Sequence, residues 1–288
     1  MSRQFSLSRI EFLSSSFLVS TFIDPWGEDD PITHQIHESS FDEEESLNYW
    51  AFFTSNAPPD AVVLDVGAFA GLFSLVAVAL RPGVKAVAFE ASTVTFGRLI
   101  SNILWNGFDL RVIPVNLAAS NKLGFISFPH AFGIFSMSPG EMIAPVRQPD
   151  HSQTAATIPL DLMLEPPDRL PDYLNSRAIP FGPLNTIAAL KIDVEGHELS
   201  VLEGSRNLLC NFRPPVICEA LDSASVEALQ NFFRGINYHT ILVEHERNIV
   251  FVADENFSAV SGAYQAWRAT FGAKLKLRAS RILTYTAF

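Results

Sequence analysis

Residues 62–71 read V-V-L-D-V-G-A-F-A-G, and an apolar segment from Leu72 to Leu80 follows directly. The opening apolar run is continuous rather than alternating, which is typical of a strand buried on both faces of a parallel sheet. Gly67 and Gly71 permit a sharp turn after this strand and a close approach of bare backbone to a ligand. The helix predicted next presents free N–H groups at its start, which favour a carboxylate or phosphate. A plainer alternative is a strand, turn and helix in which the glycines serve the turn alone.

The glycine spacing separates two kinds of nucleotide site. A nicotinamide or flavin site requires the pattern G-x-G-x-x-G, so that the pyrophosphate can approach the helix. Counted from Gly67, the second glycine of that pattern is replaced by Phe69 and the third is absent, so a dinucleotide is disfavoured. The second apolar strand, Val84 to Phe89, ends in Glu90, whose carboxylate can accept both hydroxyls of a ribose. A solvated strand end or a helix cap is the alternative for Glu90.

The composition is that of one full α/β domain with extra segments. The chain has 288 residues, of which 48% are hydrophobic and 24 are Phe, enough for a large core. Its apolar runs are too short or too interrupted to span a membrane, and we interpret Phe12 to Phe22 as structural rather than as a signal segment. The two cysteines, Cys210 and Cys218, show no metal-like spacing, which predicts a reducing cytoplasm.

The net charge of −11 lies mostly in the N-terminal region. Residues 1–60 hold two basic and eleven acidic residues, a net charge of −9, and the remainder is nearly neutral at −2. No basic face is visible in the core, so we expect no nucleic-acid partner. From Asn256 onward there are five basic and no acidic residues. We expect this tail to pair with the acidic N-terminal region or to form a solvated face.

Three regions are predicted: an acidic N-terminal helical extension or cap (1–56), a core (57–256) and a basic C-terminal extension packed on it (257–288). The first contains a helix predicted over Phe41 to Phe53, with acidic residues in its first turn, and the last contains an alternating segment, Leu275 to Leu283, that predicts an edge strand. We interpret His34, His37 and Glu38 as surface residues because no further metal ligand can be identified. An irregular insertion spans about 121–186, and its side chains form either an acceptor-binding wall or a minor hydrophobic cluster: His130, Phe132, Phe135, Ser136 and Met137.

A polar cluster follows the segment Ile187 to Ile192, whose apolar character predicts another strand. The cluster, Asp193 to Glu198, reads D-V-E-G-H-E and places three carboxylates and an imidazole at the carboxyl end of that strand. Open α/β sheets bind and convert their ligands at this end of the strands. Helix capping is the alternative, because acidic residues suit the first turn of a helix and Gly196 suits the turn itself.

Five motifs share the order and spacing of one known family. They read D-x-G-x-x-x-G at Asp65 to Gly71, A-F-E ending at Glu90, L-D at Leu160-Asp161, K-I-D-V-E-G-H-E at Lys191 to Glu198, and R-P-P-V-I-C-E at Arg213 to Glu219. Together they resemble the FkbM-type family of class I S-adenosylmethionine-dependent methyltransferases, with K-I-D-V-E-G-H-E as the most specific part. The family's usual asparagine in the first motif is Phe69 here, beside the expected cofactor.

The resemblance implies a Rossmann-like α/β sandwich with a seven-stranded, mostly parallel sheet, an antiparallel last strand and helices on both faces. It also implies O-methylation of a hydroxyl on a sugar or natural-product-like small molecule, with S-adenosyl-L-methionine as the methyl donor. Asn116 follows the third strand, at the place where an adenine contact is expected, although it can equally cap a turn. The cofactor-binding residues expected are Asp65, Gly67, Ala68, Phe69, Gly71, Glu90, Ala91, Ser92, Asn116 and Asp193.

Methyl transfer to an alcohol needs in-line alignment and a base within hydrogen-bond reach. His197 is the first candidate because an imidazole titrates near neutrality. Asp193 and Glu195 are the alternatives, as bases or as groups that orient His197 or the substrate. No metal site is predicted, and a divalent ion bridging Asp193 and the acceptor is an alternative for which no convincing ligand set is seen. Two other functions stay open: a nicotinamide-dependent enzyme, and a catalytically silent fold that binds a partner through its acidic N-terminal arm.

Overall fold

The computed structural model of the protein describes residues 3–23, 35, 41–129, 152–165, 184–272 and 276–287, with the backbone alone at 3–6, 21–23 and 281–287. Several residues singled out above lie outside the described residues, namely His34, His37, Glu38, His130, Phe132, Phe135, Ser136 and Met137.

The strands of the described part are, in chain order, β1 (Arg3–Phe12), β2 (Ser15–Ile23), β3 (Val62–Val66), β4 (Lys85–Phe89), β5 (Val112–Val115), β6 (Ala118–Ala119), β7 (Gly124–Pro129), β8 (Ser152–Ile158), β9 (Ile187–Ile192), β10 (Val216–Glu219), β11 (Tyr238–Leu242), β12 (Asn248–Ala253) and β13 (Arg278–Ala287). The α-helices are α1 (Glu44–Ser55), α2 (Leu72–Leu80), α3 (Thr93–Trp105), α4 (Glu198–Glu203), α5 (Arg206–Phe212), α6 (Ser223–Arg234) and α7 (Asp254–Phe271), and Leu160–Leu164 forms a 3₁₀ helix.

The central sheet has seven strands in the order β11-β12-β10-β9-β3-β4-β5. The pairs β10–β9, β9–β3, β3–β4 and β4–β5 are parallel. The last strand of the sheet, β12, runs antiparallel to both of its neighbours, β10 and β11. This architecture confirms the predicted seven-stranded, mostly parallel sheet, and it brings the carboxyl ends of β3, β4, β9 and β10 to one edge.

The apolar strands bury side chains on both sheet faces, as the continuous run at the start of β3 predicts. Val63 packs in one apolar cluster with residues of α1, α2, α3 and α7, whereas its neighbour Leu64 packs in a second cluster with residues of α4, α5 and α6. Helices therefore cover both faces of the sheet. Among the helices that the structure describes, none has the length and apolar character needed to cross a membrane.

The two ends of the chain meet in a second sheet, of order β13-β1-β2. The N-terminal extension is thus not wholly helical, because β1 and β2 form an antiparallel hairpin ahead of α1. The strand expected near Leu275 to Leu283 forms as β13, but it pairs with β1 and not with the edge of the central sheet. Ion pairs also join the acidic and basic ends, from Arg268 to Glu45 at 2.9 Å and from Lys276 to Glu44 at 3.8 Å.

Two asparagines of α3 connect strand β2 to the glycine turn after β3. Asn106 pairs with the backbone of Leu18 in both directions, each hydrogen bond at 2.7 Å. Asn102 Oδ1 accepts from the Ser20 N–H at 2.7 Å, and its Nδ2 donates to the Ala70 carbonyl at 2.8 Å. These amides imitate the pairing that an additional strand would supply, so the terminal sheet supports the backbone of the turn.

Helix α1 is held to the core at its start and along its aromatic face. The Glu246 carboxylate accepts hydrogen bonds from the backbone N–H groups of Glu45 and Ser46, at 2.6 and 3.1 Å, which satisfies donors that a helix start leaves free. Trp50 Nε1 donates to the Phe73 carbonyl at 2.8 Å. The predicted helix at Phe41 to Phe53 therefore forms slightly later in the chain and packs against the start of α2.

The described part of the insertion is more regular than the sequence indicates. Strand β8 pairs antiparallel with β7 and parallel with β6, giving a small sheet of order β6-β8-β7. This sheet follows β5 in the chain, and its residues Ala118 and Phe128 pack together in a small apolar cluster.

We predict that Gly67→Ala strongly destabilises the protein, whereas Gly97→Ala does not. Gly67 has φ of 79°, and a Cβ there would lie 1.7 Å from the Asp193 carbonyl oxygen. The clash is with backbone, so we expect a loss of more than about 4 kcal/mol of unfolding free energy. A Cβ at position 97 would have no atom within 4 Å. Alanine in place of Gly97 should therefore raise the free energy of unfolding by about 0.5–1 kcal/mol, because glycine weakens a helix interior. Urea unfolding of the two variants measures the difference, and equal midpoints would contradict the prediction.

Candidate active site

A cavity of about 520 Å³ opens at the carboxyl ends of β3, β4, β9 and β10. Of the residues predicted from the sequence, seven line it and five do not. The lining ones are Gly67, Phe69, Glu90, Ala91, Ser92, Asp193 and Glu195. Asp65, Ala68, Gly71, Asn116 and His197 lie outside its lining.

The turn after β3 is built from close backbone contacts. The N–H groups of Gly67 and Ala68 both donate to the Phe89 carbonyl, each at 2.9 Å. Phe69 has φ of 51°, the left-handed region that favours glycine, and its N–H donates to Glu90 Oε2 at 2.9 Å. Gly71 has φ of 90° and a built Cβ would meet Leu99 at 2.6 Å. The turn is therefore shaped by packing between β3, β4 and α3, and Ala68 and Gly71 belong to that packing.

Glu90 is the acidic group at the tip of β4. Its Oε1 accepts from the Ser92 N–H at 2.8 Å and its Oε2 from the Phe69 N–H. Burial raises the pKa of Glu90 to about 7, although these two N–H groups lower it. Each carboxylate oxygen has a further lone pair for a ligand hydroxyl, so Glu90 is oriented by the backbone and faces the cavity.

The side chains of Asp65 and Asn116 form hydrogen bonds with neighbouring segments of the chain in this structure. Asp65 is 1% exposed, and its Oδ2 accepts from the Ser74 N–H at 3.0 Å and from the Ser74 hydroxyl at 2.7 Å. Burial raises its pKa, and the charge of Lys191 lowers it. Asn116 Nδ2 donates to the Glu90 and Ala91 carbonyls at 2.8 and 3.2 Å. Neither residue lines the cavity, and both hold neighbouring segments in place, so their expected cofactor contacts stay a prediction.

The buried ammonium of Lys191 is central to the K-I-D-V-E-G-H-E motif, Lys191 to Glu198. Lys191 Nζ lies 2.6 Å from Asp193 Oδ2, 3.7 Å from Glu43 Oε1 and 4.5 Å from the centre of the Phe73 ring. Burial lowers the pKa of Lys191, but the carboxylates of Asp193, Glu43 and Asp65 outweigh it and raise the pKa above its ordinary value. The ammonium is thus charged and orients Asp193.

The turn Asp193 to His197 separates the predicted base candidates. Glu195 has φ of 54° and lines the cavity. Burial, and then the carboxylates of Asp193 and Glu198, raise its pKa to about 7. His197 instead contacts the Ser120 hydroxyl through Nε2 at 2.9 Å, and burial lowers its pKa. Glu198 Oε1 accepts from the Val194 and Gly196 N–H groups at 3.2 and 2.9 Å and caps the turn.

His197 does not line the cavity, and its expected role as the base stays a prediction. Its direction follows from the turn: after the left-handed residues Glu195 and Gly196, the chain enters α4 with His197 at the helix start, directed at the segment after β6. Sequence spacing alone does not reveal which side of such a turn a side chain takes.

The structure adds cavity residues that sequence reasoning did not select. Glu219, at the end of β10, has a carboxylate oxygen within 4.8 Å of those of Asp193 and Glu195. Burial, and then these two carboxylates, raise the pKa of Glu219 to about 9. Glu43 Oε1 accepts from Asn248 Nδ2 at 2.7 Å, so the N-terminal extension contributes to the wall. Of these added residues, only Glu219 could have been selected from the sequence, because it is the acidic residue at the end of a predicted strand.

A family model described as Methyltransferase FkbM domain matches residues 65–248. Methyltransferase sdnD of Sordaria araneosa is 29% identical over 181 residues, 58% of this chain and 69% of that protein.

Among solved structures, Methyltransferase FkbM from Methylobacillus flagellatus KT is similar with a TM-score of 0.45 and 16% identity, over 67% of this chain. The present chain spans only 43% of that protein's chain. Precorrin-6y C5,15-methyltransferase from Geobacter metallireducens GS-15 has a TM-score of 0.40 and 12% identity, over 72% of this chain and 86% of its own.

The family match covers well over half of the chain and includes both strand-end motifs that form the cavity. The protein therefore belongs to the FkbM methyltransferase family, within the class I S-adenosylmethionine-dependent methyltransferases.

Proposed function

We propose that the protein transfers a methyl group from S-adenosyl-L-methionine to a hydroxyl group of a small-molecule acceptor, such as a sugar or a natural product. The observation that carries this proposal is the position of Glu90 and the Asp193–Glu195 turn in one cavity at the carboxyl edge of the sheet. A carboxylate suited to a ribose and a candidate proton acceptor are thereby available within the same cavity.

The residues present fit the cofactor. Glu90 offers two oriented carboxylate oxygens at the tip of β4, which suit the two hydroxyls of a ribose. Next to it, Phe89, Leu117, Ala118 and Phe128 line the cavity with apolar surface suited to a planar base. Acidic side chains, Asp193 and Glu195 among them, suit the positive charge of the sulfonium and amino groups.

When bound, the cofactor supplies an electrophilic methyl group on a sulfonium. The chain must then orient the acceptor oxygen, exclude water and accept the hydroxyl proton. Asp193 is already engaged by Lys191 at 2.6 Å, whereas Glu195 lines the cavity with no hydrogen bond from a described side chain. Position therefore favours Glu195 as the base and Asp193 as an orienting group, in place of His197.

The charge of the cavity favours a small acceptor over a nucleic acid. Besides the residues above, Asp42, Glu43 and Glu246 line it, against Arg247 and the imidazole of His245. A phosphate backbone would meet repulsion here rather than the basic groups it requires. Both cysteines are free thiols, which supports the proposed cytoplasmic location.

We predict that S-adenosylhomocysteine binds about tenfold more tightly at pH 8 than at pH 6, and that NAD does not bind. The ionised Glu90 carboxylate accepts both ribose hydroxyls, and with its pKa at about 7 it becomes fully ionised as the pH rises through that value. Calorimetric titration across this range measures the effect.

Glu90→Gln should weaken this binding and abolish its pH dependence, since the amide does not titrate. Glu227→Gln, an exposed carboxylate on α6, is the matched control and should bind as the parent protein does. A dissociation constant that is the same at pH 6 and pH 8, or unchanged in Glu90→Gln, would contradict the ribose assignment. Binding of NAD alone would favour the nicotinamide alternative.

We further predict that Glu195→Gln lowers kcat by about 10²–10⁴-fold, because it removes the proton acceptor. His197→Gln should stay within about threefold of the parent, since that side chain bonds Ser120 outside the cavity. The assay uses an acceptor identified by screening sugars and other alcohols. The reverse ranking, with His197→Gln inactive at an unchanged melting temperature, would return the base to His197.

A further inference from the structure

The three carboxylates Asp193, Glu195 and Glu219 converge in the cavity from two adjacent strand ends. Each offers one oxygen, and these oxygens lie within 4.8 Å of one another. A hard divalent cation with ligands at about 2.0–2.6 Å places opposite ligand atoms roughly 4–5 Å apart. The set therefore matches the size of such an ion with small side-chain adjustments. No histidine or cysteine takes part, so the set lacks the nitrogen and sulfur ligands that zinc usually takes.

A second observation points independently to an electropositive ligand. Asn248 is 2% exposed and lines the same cavity, yet its Oδ1 has no hydrogen-bond donor among the described residues. The Oε2 atom of Glu219 is also buried and has no hydrogen-bond partner in the part of the chain that the structure describes. Glu219 and Asn248 are directly opposite in the β10–β12 ladder, so their side chains leave the same face of the sheet. The Asn248 amide oxygen and the second Glu219 oxygen thus both lack a hydrogen-bond partner within the described ranges, next to the oxygens of the carboxylate set.

The protein's own cations do not balance this charge. Lys191 is shared between Asp193 and Glu43. Arg247 Nη1 is 3.9 Å from Glu219 Oε1, and its side chain is 65% exposed. If the carboxylates of Asp193, Glu43, Glu195 and Glu219 were all ionised, one buried ammonium and one solvated guanidinium would leave two negative charges without a partner. Buried charges of one sign require compensation by a counter-ion or by protonation.

We propose that Asp193, Glu195 and Glu219 bind a divalent cation of the Mg²⁺, Mn²⁺ or Ca²⁺ class, with Asn248 Oδ1 as a neighbouring neutral oxygen. The proposal rests on the function proposed above, because its role is to hold the acceptor hydroxyl on the cavity side of the ion. A metal-bound hydroxyl loses its proton more readily. Glu195 coordinates through one oxygen and keeps the other to accept that proton, and the freed oxygen lone pair attacks the methyl carbon while the carbon–sulfur bond breaks.

The test is a titration of the chelator-stripped full chain with Mn²⁺ alone. Electron paramagnetic resonance measures the free Mn²⁺ at each step, and calorimetry measures the heat of binding. We expect one saturable site per chain. Glu219→Gln should weaken it at least tenfold, and the exposed-surface control Glu227→Gln should leave it unchanged. No saturable binding, or equal affinity in Glu219→Gln and the parent, would overturn the proposal and assign the charge balance to protonated carboxyls.

Binding of S-adenosylhomocysteine separates this proposal from the proposed function. Glu219→Gln should retain that binding, which shows that the variant is folded and that the Glu90 region is intact. If Mn²⁺ binds as expected and S-adenosylhomocysteine does not bind the parent protein, the metal site stands and the methyltransferase function fails. If S-adenosylhomocysteine binds and Mn²⁺ does not, the function stands and the metal site is wrong.

Discussion

The buried ammonium of Lys191 is the interaction on which the site depends. It lies on β9 between Asp193 and Glu43, above the Phe73 ring, and its charge also acts on Asp65. Each of these carboxylates comes from a different segment of the chain. Removing a single partner from such a buried set leaves uncompensated charge, which typically costs about 3–5 kcal/mol. One side chain thus holds the glycine turn, the acidic turn and the N-terminal extension in a single electrostatic arrangement.

The central sheet was predictable because its signals are local. A continuous apolar run such as that of β3 predicts a doubly buried strand, and parallel strands necessarily bring their carboxyl ends to one edge. Glu90, Asp193 and Glu195 were therefore expected to meet, and all three line the cavity. The antiparallel placement of β12 followed from the family resemblance, since a short apolar strand carries no information about its direction.

The remaining features depend on contacts between residues that are distant in sequence. The pairing of β13 with β1 joins the two ends of the chain, and neither alternating segment identifies its partner strand. Asn102 looks like an ordinary helix residue, yet it bridges β2 and the Ala70 carbonyl. The direction of His197 depends on two consecutive residues with positive φ. One of them is Glu195, and a glutamate in a sequence does not predict a positive φ.

The cavity wall around Glu43 is built largely where the family match ends. Glu43 lies before residue 65, and Asn248, which donates to it, is the last matched residue. Glu246 caps the start of α1, so the wall formed by α1 and the turn before β12 is one connected unit. Because this unit couples to Lys191 through Glu43, a change in the N-terminal extension alters the charge balance of the carboxylates in the cavity as well as the shape of the wall. The family match therefore includes Glu90 and the Asp193–Glu195 turn, whereas the N-terminal extension outside it contributes Glu43 to the cavity wall, and we propose that acceptor selectivity is set there.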